Sequence, residues 1–356
     1  MNSFILLQTQ FENLGDLIIN KMLIDELCRY GNVYLDLGKA PQNFSAPLLM
    51  NVNAIDVAKE KKTYTKGLRA YILRFLLFRR YNIRLSTTAP GPIYPHEKER
   101  ISKKIILDII YYLNKCLGTK SLKIGNCCSH LQVEQIPFKA NRIDAYYLRS
   151  QESVRYLSQY ISSKKVSYIP DLCFLLKYQV KPIAKKKYAI LDLRSSENPE
   201  IYTWCQKIVN DLVSQGFEVI LYYQVEKDRQ PMLHLYEYLK RPGVSVRDNI
   251  VWYNDLQFYA DKMFVISNRL HSLLIGAAYE VYPICINEET VLTSKLKHVF
   301  KSSFSKDLPI IFNTDTIPSF DFNDLYFSNI EKINKEFSDN AKICRETIFS
   351  LVEKLK

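Results

Sequence analysis

The chain has 356 residues, of which 47% are hydrophobic and 24% charged, with a formal net charge of +12. That balance supplies enough apolar material for two packed cores and excludes a disordered chain, and no uncharged run approaches the length of a membrane span. Eight cysteines stand at 28, 116, 127, 128, 173, 205, 285 and 344 without C-x-x-C pairing or histidine spacing suited to zinc, so reduced thiols and no metal site are expected.

The opening "MNSFILLQTQFENLGD" has no cationic stretch ahead of its apolar run and no small-residue cleavage site, so it reads as a first strand rather than a signal peptide. Helix is then predicted for "LGDLIINKMLIDELCRY" and strand for "NVYLDL". Residues 59–84, "KEKKTYTKGLRAYILRFLLFRRYNIR", hold nine Lys/Arg against one Glu. On a helix, Leu68, Tyr71, Ile72, Phe75, Leu76 and Phe78 would form an apolar stripe edged by cations. Such a segment suits contact with an anionic membrane surface, or equally a core helix with a solvated basic face. Nucleic acid is not an expected partner, because the charge is local and carries no recognition motif.

A loop "STTAPGPIYPHE", a helix near 98–117, strands "LKIGN" and "IDAYYLR", helix "SQESVRYLSQYI" and the run "VSYIPDLCFLL" complete the first half. After the cationic stretch "KYQVKPIAKKK" the alternation restarts with strand "YAILDLR", a helix at "PEIYTWCQKIVNDLVSQG", strand "FEVILYYQ" and helix "PMLHLYEYLKR". A short strand near 250, helix "NDLQFYADK", strand "MFVISN", helix "LHSLLIGAAYE", strand "VYPICI" and a helix from about 292 follow. The predicted fold is α/β, with two doubly wound Rossmann-like domains facing a cleft. Expected boundaries are 1–178, a linker at 179–187, 188–324, and a helical tail at 325–356 that packs back on the first domain.

Ligands of open parallel sheets bind beyond the carboxyl ends of the strands. The residues expected there are Arg149, Asp171, Arg194, Gln224, and Arg269 with His271 in "VISNRLHSLLIG". Arginine forks suit carboxylate and phosphate, and a helix beginning beside His271 would add N–H donors, so a small anionic ligand is expected. Each position also has a plainer reading. A strand-end arginine can pair with a nearby carboxylate, Asp171 can cap a turn after Pro170, Gln224 can be loop, and His271 can pack beneath its helix. Asn13, Gly15 and Asp16, between the first strand and first helix, form a further candidate cluster, without the glycine pattern of a dinucleotide or phosphate loop.

In order, "NLGD", "YLRSQES", "PDLCF", the "LR" strand end, "YYQVEKD", "SNRLHSLLIGAAYEVYPICI" and "TSK" resemble the polysaccharide pyruvyl transferase family over about residues 1–300. Where family members often carry a glycine-rich loop, this chain has "STTAPGPIYPHE". The resemblance implies a GT-B-like fold and transfer of pyruvate from phosphoenolpyruvate to a saccharide, free or lipid-linked, as a cyclic ketal in bacterial capsule or exopolysaccharide biosynthesis. It implies no cofactor beyond phosphoenolpyruvate as co-substrate. The donor would be held by Arg194, Arg269, His271, Gln224 and Lys295, and the acceptor by Asn13, Gly15, Asp16 and Arg149. His271 is the expected proton donor or phosphate ligand, with Asp16 or Asp171 orienting the acceptor hydroxyl. A cytoplasmic protein touching the inner face of the membrane through 59–84 is the expected setting. Two other readings stand beside this one: a GT-B glycosyltransferase using a nucleotide sugar, and a non-catalytic assembly protein of the same pathway.

Overall fold

The computed structural model describes residues 1–57, 67–93, 101–128, 142–181, 183–194, 200–287, 291–306, 308, 311–313 and 319–356. The chain divides into two compact units: Met1–Phe11 with Ile19–Leu172 and Ile343–Lys356, and Glu12–Ile18 with Cys173–Lys342.

The first unit is built on strands β1 (Asn2–Leu6), β2 (Val33–Asp36), β3 (Ala54–Asp56), β4 (Ile83–Thr88), β5 (Gly91–Ile93), β6 (Lys120–Cys128), β7 (Ala145–Leu148) and β8 (Val166–Tyr168). They run in the order β3-β2-β1-β4-β6-β7-β8, with β5 also on β6, and every pairing is parallel. Its helices are α1 (Leu14–Cys28, whose first turn belongs to the second unit), α2 (Gln42–Leu48), α3 (Gly67–Arg80), α4 (Ile101–Cys116) and α5 (Gln151–Leu157). Strands such as β1 and β2 are buried almost throughout because a parallel sheet is covered on both faces.

The second unit repeats the plan with β9 (Tyr188–Asp192), β10 (Glu218–Leu221), β11 (Val244–Val246), β12 (Phe264–Ser267), β13 (Tyr282–Asn287) and β14 (Ile311–Asn313). The order is β11-β10-β9-β12-β13-β14, again wholly parallel. Helices α6 (Glu200–Ser214), α7 (Arg229–Leu239), α8 (Leu270–Ala278) and α9 (Val291–Ser303) connect the strands, and α10 (Phe322–Glu353) closes the chain. Strand order reverses between β9 and β12, and this switch point lies where ligands enter such sheets.

The α/β class and parallel sheets expected from the sequence are therefore present. Several local expectations differ. The strand near 250 lies earlier, at β11, directly after the Pro242–Gly243 turn, where Gly243 has φ +84°. The helix at "NDLQFYADK" is a 3-10 segment, Tyr253–Tyr259, and "DLCFLL" is another, Leu172–Tyr178, set off from β8 by Pro170. Polar "STT" continues β4 rather than opening a loop, its side chains alternating in burial; residues 94–97 of that predicted loop lie outside the described residues. The short α2 and β3 had no counterpart in the apolar pattern.

Among the described residues no helix is long and apolar enough to cross a membrane, and no His/Cys/Asp/Glu group is placed to hold a metal ion. None of the eight cysteines forms a disulfide; six are buried, Cys128 is partly buried and Cys116 exposed.

Candidate functional site

The carboxyl ends of β9 and β12 place a cluster of ionic groups at the switch point of the second unit. Asp192 ends β9 and is fully buried; Asp228 precedes α7 at 1% exposure. Arg269, the residue before α8, lies between them. Its Nη2 donates to Asp228 Oδ2, and its Nε stands 3.9 Å from Asp192 Oδ1. The arginine does not cap its helix with a side-chain bond; its backbone N–H donates to Ser267 Oγ at 2.9 Å. Asp192 Oδ1, Asp228 Oδ1 and Arg269 Nε are buried without hydrogen bonds, an unusual concentration of unsatisfied polar atoms.

A buried polar chain continues beneath this cluster. Ser272, on the first turn of α8, donates to Asp192 Oδ2 and also reaches the Tyr222 hydroxyl. The Tyr222 and Tyr259 hydroxyls are 2.7 Å apart, and Gln224 Nε2 donates to Tyr259. Burial drives both phenols well above their ordinary range, so they act here as neutral hydrogen-bonding groups. Gln224, a predicted donor ligand, is thus only 1% exposed and committed to Tyr259.

Burial also pushes the Asp192 carboxyl up to about 6, against the opposing pull of Arg269 and the Ser272 hydrogen bond. An unfolded aspartate titrates near 3.9, so the folded chain holds this proton more tightly. The resulting stability is fully present below about pH 4 and is lost as pH rises through about 6. The difference in unfolding free energy between the parent and Asp192→Asn should therefore change by about 2–3 kcal/mol from pH 4 to pH 7.5 in chemical denaturation. A difference independent of pH would show that another group carries the titration.

His271 follows Arg269 by two residues and is partly buried. Gly15, in the first turn of α1, packs directly against it: a Cβ at Gly15 would fall 2.2 Å from His271 Nδ1 and 2.5 Å from both Cβ and Cγ. Only a hydrogen atom fits there. Asn13 Oδ1 shapes the approach by accepting from the Gly15 N–H at 3.0 Å, and Asp16, partly buried, is the acidic residue of the same turn. Asn13, Gly15 and Asp16 therefore belong with the unit that carries His271.

Arg194 is held at the backbone by Asn268, which accepts from its N–H at 2.7 Å and donates to its carbonyl at 3.3 Å. The side chain lines a pocket of about 220 Å³ together with Tyr202, Met232 and His234. Arg149 and Asp171 belong to the first unit, 6% and 0% exposed, and form a buried ion pair at 2.8 Å. The Cys344 thiol reaches the carbonyl of Pro170 there at 3.4 Å. Arg149 thus realises the plainer reading, an arginine paired with a carboxylate. Lys295 lies in α9 with its backbone alone described.

Sequence reasoning gave no site role to Asp192, Asp228, Asn268, Ser272, Tyr222 or Tyr259. The legible signal was a charged residue inside the apolar run "YAILDL", because an aspartate buried in a parallel strand needs a partner. Asp228 stood in the "YYQVEKD" motif without a role.

Two parallel sheets with the observed strand orders define a GT-B-like α/β protein. Solved structures share this fold. They include a glycosyltransferase from Rickettsia africae ESF-5 (11% identity, 99% of this chain and 98% of that chain covered, TM-score 0.58). A UDP-GlcNAc 2-epimerase from Neisseria meningitidis bound to UDP-GlcNAc (10%, 98% and 100%, TM-score 0.56) and one from Methanocaldococcus jannaschii (11%, 99% and 100%, TM-score 0.56) are similar in the same sense. At this identity the likeness extends to the fold alone. The family model for polysaccharide pyruvyl transferase matches residues 139–290, the stretch that holds Asp192, Arg194, Gln224, Asp228, Arg269 and His271, and supports a transferase. No curated protein sequence matches the chain.

Proposed function

We propose that the protein transfers pyruvate from phosphoenolpyruvate to a saccharide as a cyclic ketal, in the biosynthesis of a bacterial surface polysaccharide such as a capsule or exopolysaccharide. The observation that carries this reading is the placement of Arg269 and His271 two residues apart at the start of α8, at the switch point and within the family-matched stretch. The positive end of the α8 dipole and the Arg269 guanidinium suit the carboxylate or phosphate of the donor. Arg194 supplies a second cation at the end of the adjacent strand.

In this scheme the methylene carbon of the enol takes a proton, with His271 as donor, and the adjacent carbon becomes an oxocarbenium centre. A saccharide hydroxyl attacks that carbon and gives up its proton. Phosphate then departs with the C–O bonding pair, and a second hydroxyl closes the ketal with loss of its proton. Asp16, on the turn packed against His271, is the residue assigned to orient an acceptor hydroxyl. The scheme asks for no metal and no cofactor beyond the co-substrate.

Thermal denaturation with phosphoenolpyruvate and with a panel of nucleotide sugars tests the donor class. Stabilisation by phosphoenolpyruvate that grows with the logarithm of its concentration, together with phosphate release in the presence of an acceptor oligosaccharide, is the expected result. Stabilisation by nucleotide sugars alone would overturn it in favour of glycosyl transfer.

A further inference from the structure

Helices α3 and α4 pack beside one another in the first unit, and each turns an apolar stripe toward solvent. On α3 the core side is clear: Leu77 and Phe78 are buried and Leu73 packs with them against Phe4, Tyr34 and Ile83. Arg74 also turns inward, close enough to Asp36 to oppose the effect of burial on its carboxyl. The opposite side presents Ile72 and Leu76, each 52% exposed, followed by exposed Arg79 and Arg80. On α4, Tyr111 faces the core around Ile143 and Tyr146. Ile105, Ile109 and Tyr112, spaced four and three residues apart on one face, are 54%, 53% and 69% exposed. Exposed Lys115 follows them.

Packing has therefore split the stripe expected from the sequence, burying Phe78 in the core and leaving Ile72 and Leu76 exposed beside a second apolar face. Side chains of this size at helical spacing on neighbouring helices, edged by cations, differ from scattered surface hydrophobics. The charge selects the partner. α3 ends on exposed Arg79 and Arg80 and holds no acid, while α4 ends near exposed Lys115 and holds one acid, Asp108, which is paired with Arg142. A second copy docking through the same face would set like charges against each other. An anionic lipid surface complements them, taking the Ile, Leu and Tyr side chains at the headgroup level and the arginines and lysine among the phosphates.

We propose that the α3–α4 face docks the protein on an anionic membrane. This inference does not depend on which donor the site accepts. The test is co-sedimentation of the full chain with large vesicles of phosphatidylcholine alone or with one-third phosphatidylglycerol, at low and high salt. Binding to the anionic vesicles only, weakened by salt, is expected. It should fall about tenfold or more both in Ile109→Asp/Tyr112→Asp and in Arg79→Glu/Arg80→Glu. Circular dichroism and thermal melting of the same variants establish that they are folded. Absence of binding by the parent chain overturns the proposal, as does binding that folded variants retain. So does a concentration-dependent dimer that both pairs of substitutions abolish while leaving vesicle binding intact.

Discussion

Replacing Arg269 with alanine is expected to abolish the thermal response to phosphoenolpyruvate and also to remove about 3–5 kcal/mol of stability. The two losses have different origins. The first follows from deleting the guanidinium assigned to the donor, with kcat/KM falling by roughly a thousandfold, as when one preorganised donor to a developing anion is lost. The second arises because Asp228 and Asp192, 1% and 0% exposed, would each lose their cationic neighbour while remaining buried. Combining Arg269→Ala with Asp228→Asn should restore much of the stability, since it removes a charge left without its counter-ion, and should restore none of the donor response. Chemical denaturation and donor titration on the single and double variants read the two effects apart. A single variant as stable as its parent would show that neither carboxylate depends on the arginine.

The second large effect is expected from a single methyl group. In a first helical turn, Gly15→Ala would ordinarily gain up to about 1 kcal/mol in helix propensity. Here the new Cβ would lie 2.5 Å from the Cβ of His271, an atom fixed to the backbone of α8 and unable to swing aside. Sterics decide the outcome, and either α8 or the α1 turn must move. We expect kcat to fall about a hundredfold, because displacing a catalytic group by an ångström costs about that much. The imidazole resonances of His271 should shift in the same variant. Unchanged turnover in a folded Gly15→Ala protein would remove the Gly15–His271 contact from the account of the site.

The fold was legible because parallel strands covered on both faces must be apolar almost throughout, and "SFIL", "YAIL" and "FVIS" are. By contrast β3, only three residues long, and α2, a helix of two turns interrupted by Pro47, have too little period to register. Arg269 and His271 could be read as site candidates because a polar pair interrupts apolar sequence where a strand meets a helix. Their immediate surroundings could not. Asp192, Asp228 and Arg269 come from three separate segments of the chain, and the close fit of Gly15 to His271 exists only in packing. Arg149 shows the converse. Its place at a strand end was read correctly as a position, yet the guanidinium is committed to Asp171 in the interior, and sequence carries no sign of which neighbour will claim an arginine.

The distribution of thiols has its own chemical consequence. Burial raises Cys28 and Cys128 to about 12 and also pushes Cys285 and Cys344 well up, while Cys127, Cys173 and Cys205 are shut away from solvent. An electrophile meeting the native chain reacts through thiolate, so it finds Cys116 accessible at the end of α4, one turn beyond Tyr112. Folding has thereby sorted eight identical groups into seven that are silent and one that is addressable, and a fluorophore attached there would report the polarity met by the α3–α4 face without any engineered cysteine.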